Sequence, residues 1–145
     1  MAAVGDGQIA LCDRNCHKSI EHGLTMTGAV PIYFVPLRNR YGIIGPIHPQ
    51  QMAEQAIRTS IASNPLVGTD TNPTPAHCVI TNSTYDGLCY NVPRVTKLLE
   101  ASVDRIHFDE AWYAYARFNP IYRERFGMHG EPADHSGPTI FTTHS

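Results

Sequence analysis

Three short segments of the chain carry residues able to do chemistry: Asp13 to Ser19, Asn82 to Asp86, and Asp109 to Trp112. The third is the most pointed. A β-type run, Arg105-Ile-His-Phe108, delivers Asp109, Glu110, Ala111 and Trp112 where the strand must end. In open α/β sheets ligands bind outside the carboxyl ends of the strands, so a carboxylate there is a candidate for catalysis or binding. The other two segments follow strand-like runs as well, and a parallel sheet would gather all three on one edge. Composition and spacing alone support a binding site at that edge and nothing finer.

Other chemistries are poorly matched. The Gly42-Ile-Ile-Gly45 stretch precedes no clear helix start, so it is a weak phosphate loop, and no G-x-S-x-G elbow exists for a serine hydrolase. Cys12, Cys16 and His17 crowd three ligands into six residues without a second cluster, which argues against zinc. No metal is expected. The four cysteines lack paired CxxC spacing and stand in apolar surroundings, the pattern of reduced, mostly buried thiols in a cytoplasmic protein. A net charge of -2 provides no basic field, so nucleic acid is not an expected partner. No apolar run approaches the ~20 residues that cross a bilayer, and the first residues lack the basic start and apolar core of a secretory signal.

The elements that must position these segments alternate along 145 residues, about one domain's worth. Strands are expected at Ile9–Cys12, Val30–Val35, Cys78–Thr81, Ile106–Phe108 and Thr139–Thr142. A helix from His17 to about Met26 should be capped by Asp13 or Asn15, closed by Gly28, and turn Ile20 and Leu24 inward. The residues Met52, Ala53, Ala56, Ile57 and Ile61 recur at helical spacing after Pro49, which suits a first turn. Asn91 is a good cap for a helix over Val92–Ala101, with Val95, Leu98 and Leu99 facing inward. The connection from Leu37 to Pro49 and the Pro/Thr/Asn-rich stretch from Asn64 to Pro75 should be irregular. Strand alternating with helix predicts an α/β fold, a mostly parallel sheet with helices on its faces.

Four motifs come in a distinctive order: Asp13-Arg-Asn-Cys-His-Lys-Ser19, Arg38-Asn-Arg-Tyr-Gly-Ile-Ile-Gly-Pro46, Thr81-Asn-Ser-Thr-Tyr-Asp-Gly87 and His107-Phe-Asp-Glu-Ala-Trp112. Together they resemble the bacterial Orn/Lys/Arg decarboxylases, pyridoxal-phosphate enzymes of the aspartate-aminotransferase fold. The run from Trp112 to Tyr122 is most similar to the biodegradative, acid-inducible arginine branch. The resemblance implies part of a three-layer α/β/α cofactor-binding large domain over residues 1–145, pyridoxal 5'-phosphate as cofactor, and a basic amino acid, arginine first, as substrate. It also implies a homo-oligomeric parent enzyme with a role in acid resistance. Asp109 would then face the cofactor's pyridine nitrogen, His17 one face of the ring and Ala111 the other. Thr84 would lie near the phenolic oxygen, unless Tyr85-Asp86-Gly87 is simply a turn. Trp112 would reach the same oxygen or form a wall. His107 is expected to pack beside its strand, and Glu110 to be a supporting or interface acid.

The resemblance further aligns Thr142-Thr-His-Ser145 with the segment whose Ser is followed by Thr-His-Lys, the Lys being the Schiff-base lysine. Ser145 is counted with the cofactor-binding residues. The lysine would fall three residues later, and the phosphate-binding turn would precede Met1. The chain is therefore expected to be an internal fragment, inactive by itself. The alternatives are a lysine or ornithine decarboxylase, or a non-catalytic truncated paralogue that docks on full-length subunits.

Overall fold

A computed structural model of the chain describes residues 4–127 and 138–143. Five parallel strands form one sheet: β1 (Ile9–Asp13), β2 (Val30–Phe34), β3 (His77–Thr81), β4 (Arg105–Asp109) and β5 (Thr139–Thr143). Their order across the sheet is β2-β1-β3-β4-β5, so the direction of winding reverses between β1 and β3. Helix α1 (Lys18–Thr27) joins β1 to β2, α2 (Glu54–Ser63) lies between β2 and β3, and α3 (Val92–Leu99) joins β3 to β4. The predicted α/β class with a parallel sheet is what the chain adopts.

Strand β1 is buried at every residue, as a central strand covered on both faces must be. Its odd-numbered side chains, Ile9 and Leu11, join Ile32, Phe34, Cys78, Ile80, Ile106 and Phe108 in the main core. That core is closed by Ile57 and Ile61 of α2 and Val95 and Leu99 of α3, at the helical spacing expected for them. On the opposite face Ala10 and Cys12 pack against Leu24 of α1 and Ala29, with Ile20 alongside. Small side chains on the strand let α1 sit close.

Two local expectations need correction. The N-cap of α1 is His17, whose side chain accepts a hydrogen bond from the Ser19 N–H, rather than Asp13 or Asn15. Asp13 is drawn into the sheet edge instead, where its carboxylate accepts from the backbone N–H of Asn15 at 2.8 Å and of Thr81 at 3.4 Å. The helix expected through Met52 is also split. Pro49–Met52 forms a 3-10 turn, Ala53 is extended, and α2 begins at Glu54. Met52 is buried in the main core, and the break lets it pack there from outside the axis of α2.

Other local signals hold. Gly28 ends α1 in the left-handed conformation (φ 70°) and donates its N–H to the Leu24 carbonyl. The Asn91 side chain accepts from the Arg94 N–H at the start of α3. The Gly42-Ile-Ile-Gly45 stretch belongs to a small hairpin held by an Arg38–Ile44 bridge, with Gly42 at φ 82°.

Truncation of Phe108, which is fully buried between β4's neighbours, should cost about 3–5 kcal/mol. Urea denaturation of Phe108→Ala against the unsubstituted chain measures this. A loss below about 1 kcal/mol is incompatible with the core assigned to it.

Candidate active site

The reversal of strand order leaves a crevice at the carboxyl edge, between the segments that leave β1 and β3. A cavity of about 660 Å³ opens there, a size suited to a small-molecule ligand. Register explains part of its lining. Thr81 is level with Asp109, and Asp109 with Thr143, so the last residues of β3, β4 and β5 form one row. All three line the cavity.

The loop after β1 contributes Asn15, Cys16, His17, Lys18 and Ser19. His17 has two jobs. Its Nδ1 caps α1, accepting from the Ser19 N–H at 3.3 Å and lying 2.9 Å from the Ser19 hydroxyl. Accepting at Nδ1 leaves the ring's proton at Nε2, and the exposed ring forms part of the cavity wall.

The loop after β3 contributes Ser83, Thr84 and Tyr85. Thr84 begins a turn in which Gly87 donates its N–H to the Thr84 carbonyl at 2.9 Å. The Thr84 Oγ1 accepts from the Leu88 N–H at 3.2 Å. The turn is thus real, and Thr84 is nevertheless a cavity residue.

From the end of β4 come Asp109, Ala111 and Trp112. The Asp109 carboxylate is half-buried and makes no hydrogen bond or ion pair among the described residues. It is a carboxylate held at the mouth of a sheet without a cation of its own among the described residues. Trp112 stacks on Tyr85 with ring centroids 5.6 Å apart and planes 7° from parallel. His107, one turn of the pleat earlier, bonds through Nε2 to the Thr143 hydroxyl. Burial lowers the pKa of this imidazole, against the opposing pull of Asp109. It packs beside the strand and is absent from the lining.

The neighbouring Glu110 is completely buried, and burial raises its carboxyl pKa to about 7. Hydrogen bonds from Gly127 and Asn82 oppose that rise, and the charge of Asp109 adds to it. Asp13, 1% exposed, also has its pKa raised by burial, with the bonds from Asn15 and Thr81 acting the other way. It braces the floor of the crevice by joining the end of β1 to that of β3.

Residues 1–145 match the protein-family description "Orn/Lys/Arg decarboxylase, major domain". The chain belongs to the Orn/Lys/Arg decarboxylase family. It is 56% identical over 144 residues to the biodegradative arginine decarboxylase of Escherichia coli (strain K12), covering 99% of this chain and 19% of that protein. Identity to the lysine decarboxylase LdcA of Pseudomonas aeruginosa is 50% over 142 residues, covering 98% and 19%. Among solved structures, the constitutive lysine decarboxylase of Escherichia coli superposes with a TM-score of 0.87 at 42% identity, covering 99% of this chain and 19% of that one. Lysine decarboxylase A from Pseudomonas aeruginosa does so with a TM-score of 0.87 at 48% identity, covering 98% and 19%. The chain thus spans about a fifth of the length of the decarboxylases it matches.

Within this member of the Orn/Lys/Arg decarboxylase family, Asp109, His17, Ala111, Trp112 and Thr84 come together around one cavity. Ser145 lies outside the described residues. Tyr85, Ser83 and Thr143 join the lining without having been singled out individually. Tyr85, Ser83 and Thr143 all fall inside motifs that the sequence displays, but only register shows Thr143 level with Asp109. Nor did the sequence show that Asn82 and Glu110 meet. Among the described residues no group of His, Cys, Asp and Glu could hold a metal ion, and no helix is long and apolar enough to cross a membrane.

Trp112 is the chain's single tryptophan, so its emission reports on the stack directly. Tyr85→Ala should shift that emission to the red and raise its quenching by acrylamide, with a stability loss of about 1 kcal/mol or less. Tyr85→Phe, which keeps the ring, should behave as the unsubstituted chain. Identical spectra for all three would mean that the rings do not stack in solution.

Proposed function

We propose that the chain forms part of the cofactor-binding large domain of a pyridoxal-phosphate-dependent decarboxylase, with arginine as substrate and agmatine and carbon dioxide as products. The observation that carries this reading is the Asp109 carboxylate, without a hydrogen bond or ion pair among the described residues, at the carboxyl end of β4 in the cavity where the strand order reverses. A cation placed there is stabilised by an anion already desolvated in part and fixed by the sheet.

The residues fit the group. A carboxylate, an imidazole, a hydroxyl, an indole and a small side chain line one cavity of suitable size. When bound, pyridoxal phosphate supplies an electron sink for the pair left on Cα as carbon dioxide departs. Asp109 holds a proton at the ring nitrogen of that group, and a protonated ring is the better sink. His17 enters from the β1 side and Ala111 from the β4 side, which supports opposite faces of the ring for these two. Thr84 and Trp112 bring an O–H and an indole N–H for the phenolic oxygen, and Ser145 belongs with the cofactor-binding residues. Lys18 lines the cavity, but the covalent role falls to the lysine that the family carries three residues beyond the position of Ser145.

Decarboxylation consumes a proton, which suits a cytoplasmic role in acid resistance. Exposed Phe118 and Ile121, 87% and 77% accessible, leave apolar surface for the rest of the polypeptide or further copies to cover, and the homo-oligomer follows from the family reading. Lysine is the second substrate reading, favoured by the 50% identity to a lysine decarboxylase.

In the full-length polypeptide that carries this chain, Asp109→Asn should lower kcat by about 10²–10³-fold with the fold retained. Near-normal turnover would remove Asp109 from the pyridinium role. Product analysis with arginine, lysine and ornithine should show agmatine dominant; dominant cadaverine would establish the lysine reading. A borohydride-reduced cofactor adduct mapped to Lys18 would overturn the assignment of the covalent lysine.

A further inference from the structure

Two adjacent carboxyl groups end β4 in opposite circumstances. The Asp109 carboxylate lines the cavity without a hydrogen bond or ion pair among the described residues. Glu110, next in the chain, is 0% exposed and engaged on several sides.

The engagement joins segments that are distant in sequence. The Glu110 Oε1 accepts from the Asn82 side-chain amide at 2.6 Å and from the Gly127 backbone N–H at 2.7 Å. The same Asn82 amide donates to the Arg125 carbonyl at 2.8 Å, and its Oδ1 accepts from the Tyr90 N–H at 3.1 Å. Along the backbone, the Asn82 N–H donates to the Asp109 carbonyl at 2.8 Å, and the Glu110 N–H to the Thr143 carbonyl at 3.2 Å. Asn82 is 0% exposed, with its side-chain amide and backbone N–H occupied. Ser83 and Thr84, the next two residues, line the cavity.

Gly127 is where only glycine fits. A Cβ there would lie 2.6 Å from the Thr142 methyl carbon and 3.2 Å from Phe108 Cβ. The missing side chain lets the Gly127 N–H approach the carboxyl against the back of β4 and β5. Such close packing is more than a surface acid needs.

We propose that Glu110 is a positioning residue, whose buried carboxyl clasps Asn82 and Gly127 and thereby holds Asp109, Ser83 and Thr84 in place around the cavity. Its link to catalysis rests on the decarboxylase reading; the clasp itself rests on geometry alone. The protonated acid is the form suited to this position. The Glu110 Oε2 is buried without a partner among the described residues, and an ionised carboxylate could not remain so without a large desolvation cost. Of the groups packed around it, Asn82 and Tyr90 are neutral there, Arg125 offers its carbonyl, and Gly127 and Thr143 offer backbone. The Arg125 guanidinium turns to the Cys89 carbonyl at 3.4 Å instead. Asp109 is the charge that acts on this carboxyl, and it too disfavours ionisation.

A carboxyl whose pKa is raised from 4.5 to about 7 in the folded state binds its proton more tightly there. The stability that the protonated acid contributes is then fully present below the unfolded value and is lost as pH rises through about 7, where the ionised form bears the desolvation cost although it still accepts both bonds.

Hydrogen–deuterium exchange and pyridoxal-phosphate titration on the full-length polypeptide test this. In the unsubstituted protein, after correction for intrinsic exchange, peptides over residues 82–90 and 124–127 should lose protection as pH rises from 6 to 8. Glu110→Gln keeps the acceptor and cannot ionise, so it should hold that protection across the same range. Glu110→Ala should open both peptides at every pH and weaken cofactor binding by about ten-fold, the effect of leaving buried partners unmatched. Unchanged protection in Glu110→Ala overturns the proposal, as does a Glu110→Gln profile identical to that of the unsubstituted protein. If the unsubstituted protein takes up no pyridoxal phosphate, the decarboxylase reading fails, while the exchange data, which need no cofactor, still decide the clasp.

Discussion

The turn-back of strand order between β1 and β3 is the constraint from which the rest of the molecule follows. A parallel sheet needs crossover connections, and these pack back onto it with one hand. Winding outward from β1 to β2 puts α1 on one face. Crossing back over β1 to β3, and then outward to β4, puts α2 and α3 on the other. The chain segments leaving β1 and β3 must therefore part. Asp13, buried in the gap, keeps the parted ends in register by accepting from both sides. A crevice with polar lips results from topology, before any residue is chosen for chemistry.

What fills those lips shows how few residues serve function alone. His17 is the cap of α1 and a wall of the cavity. Thr84 stabilises its own turn and lines the same space. Trp112 is kept at the rim by Tyr85. Each is oriented by a structural bond on one side, which leaves the other side predisposed toward a ligand. This sharing reduces the ordering that binding must supply.

The pair at the end of β4 is the clearest case of environment dividing like groups. Asp109 and Glu110 are consecutive carboxylic acids, and nothing in their covalent chemistry sets them apart by more than a fraction of a pKa unit. One is left where a cation would be welcome. The other is enclosed among amides, where the neutral acid is preferred. In this chain the division separates a carboxylate that lines the cavity from one that is buried behind it. Membership of the Orn/Lys/Arg decarboxylase family gives that division a setting, since the matched segment is the part of the major domain that carries both residues.

Much of this was legible along the chain. The apolar runs marked the five strands, Gly28 closed α1, Asn91 capped α3, and Asp109 stood at a strand end within a recognisable motif. These signals are local: they depend on periodicity, on capping oxygens and on residues within a few positions of one another. Tertiary structure decided the remainder. It moved Asp13 from helix cap to crevice brace, because the Thr81 N–H it bonds is sixty-eight residues away. It extended Ala53 and split the second helix, placing Met52 in the core. It set Thr81, Asp109 and Thr143 in one row, stacked Tyr85 on Trp112, and buried Glu110 against Asn82 and Gly127. Register and burial come from pairings between distant segments, and no window of neighbouring residues contains them.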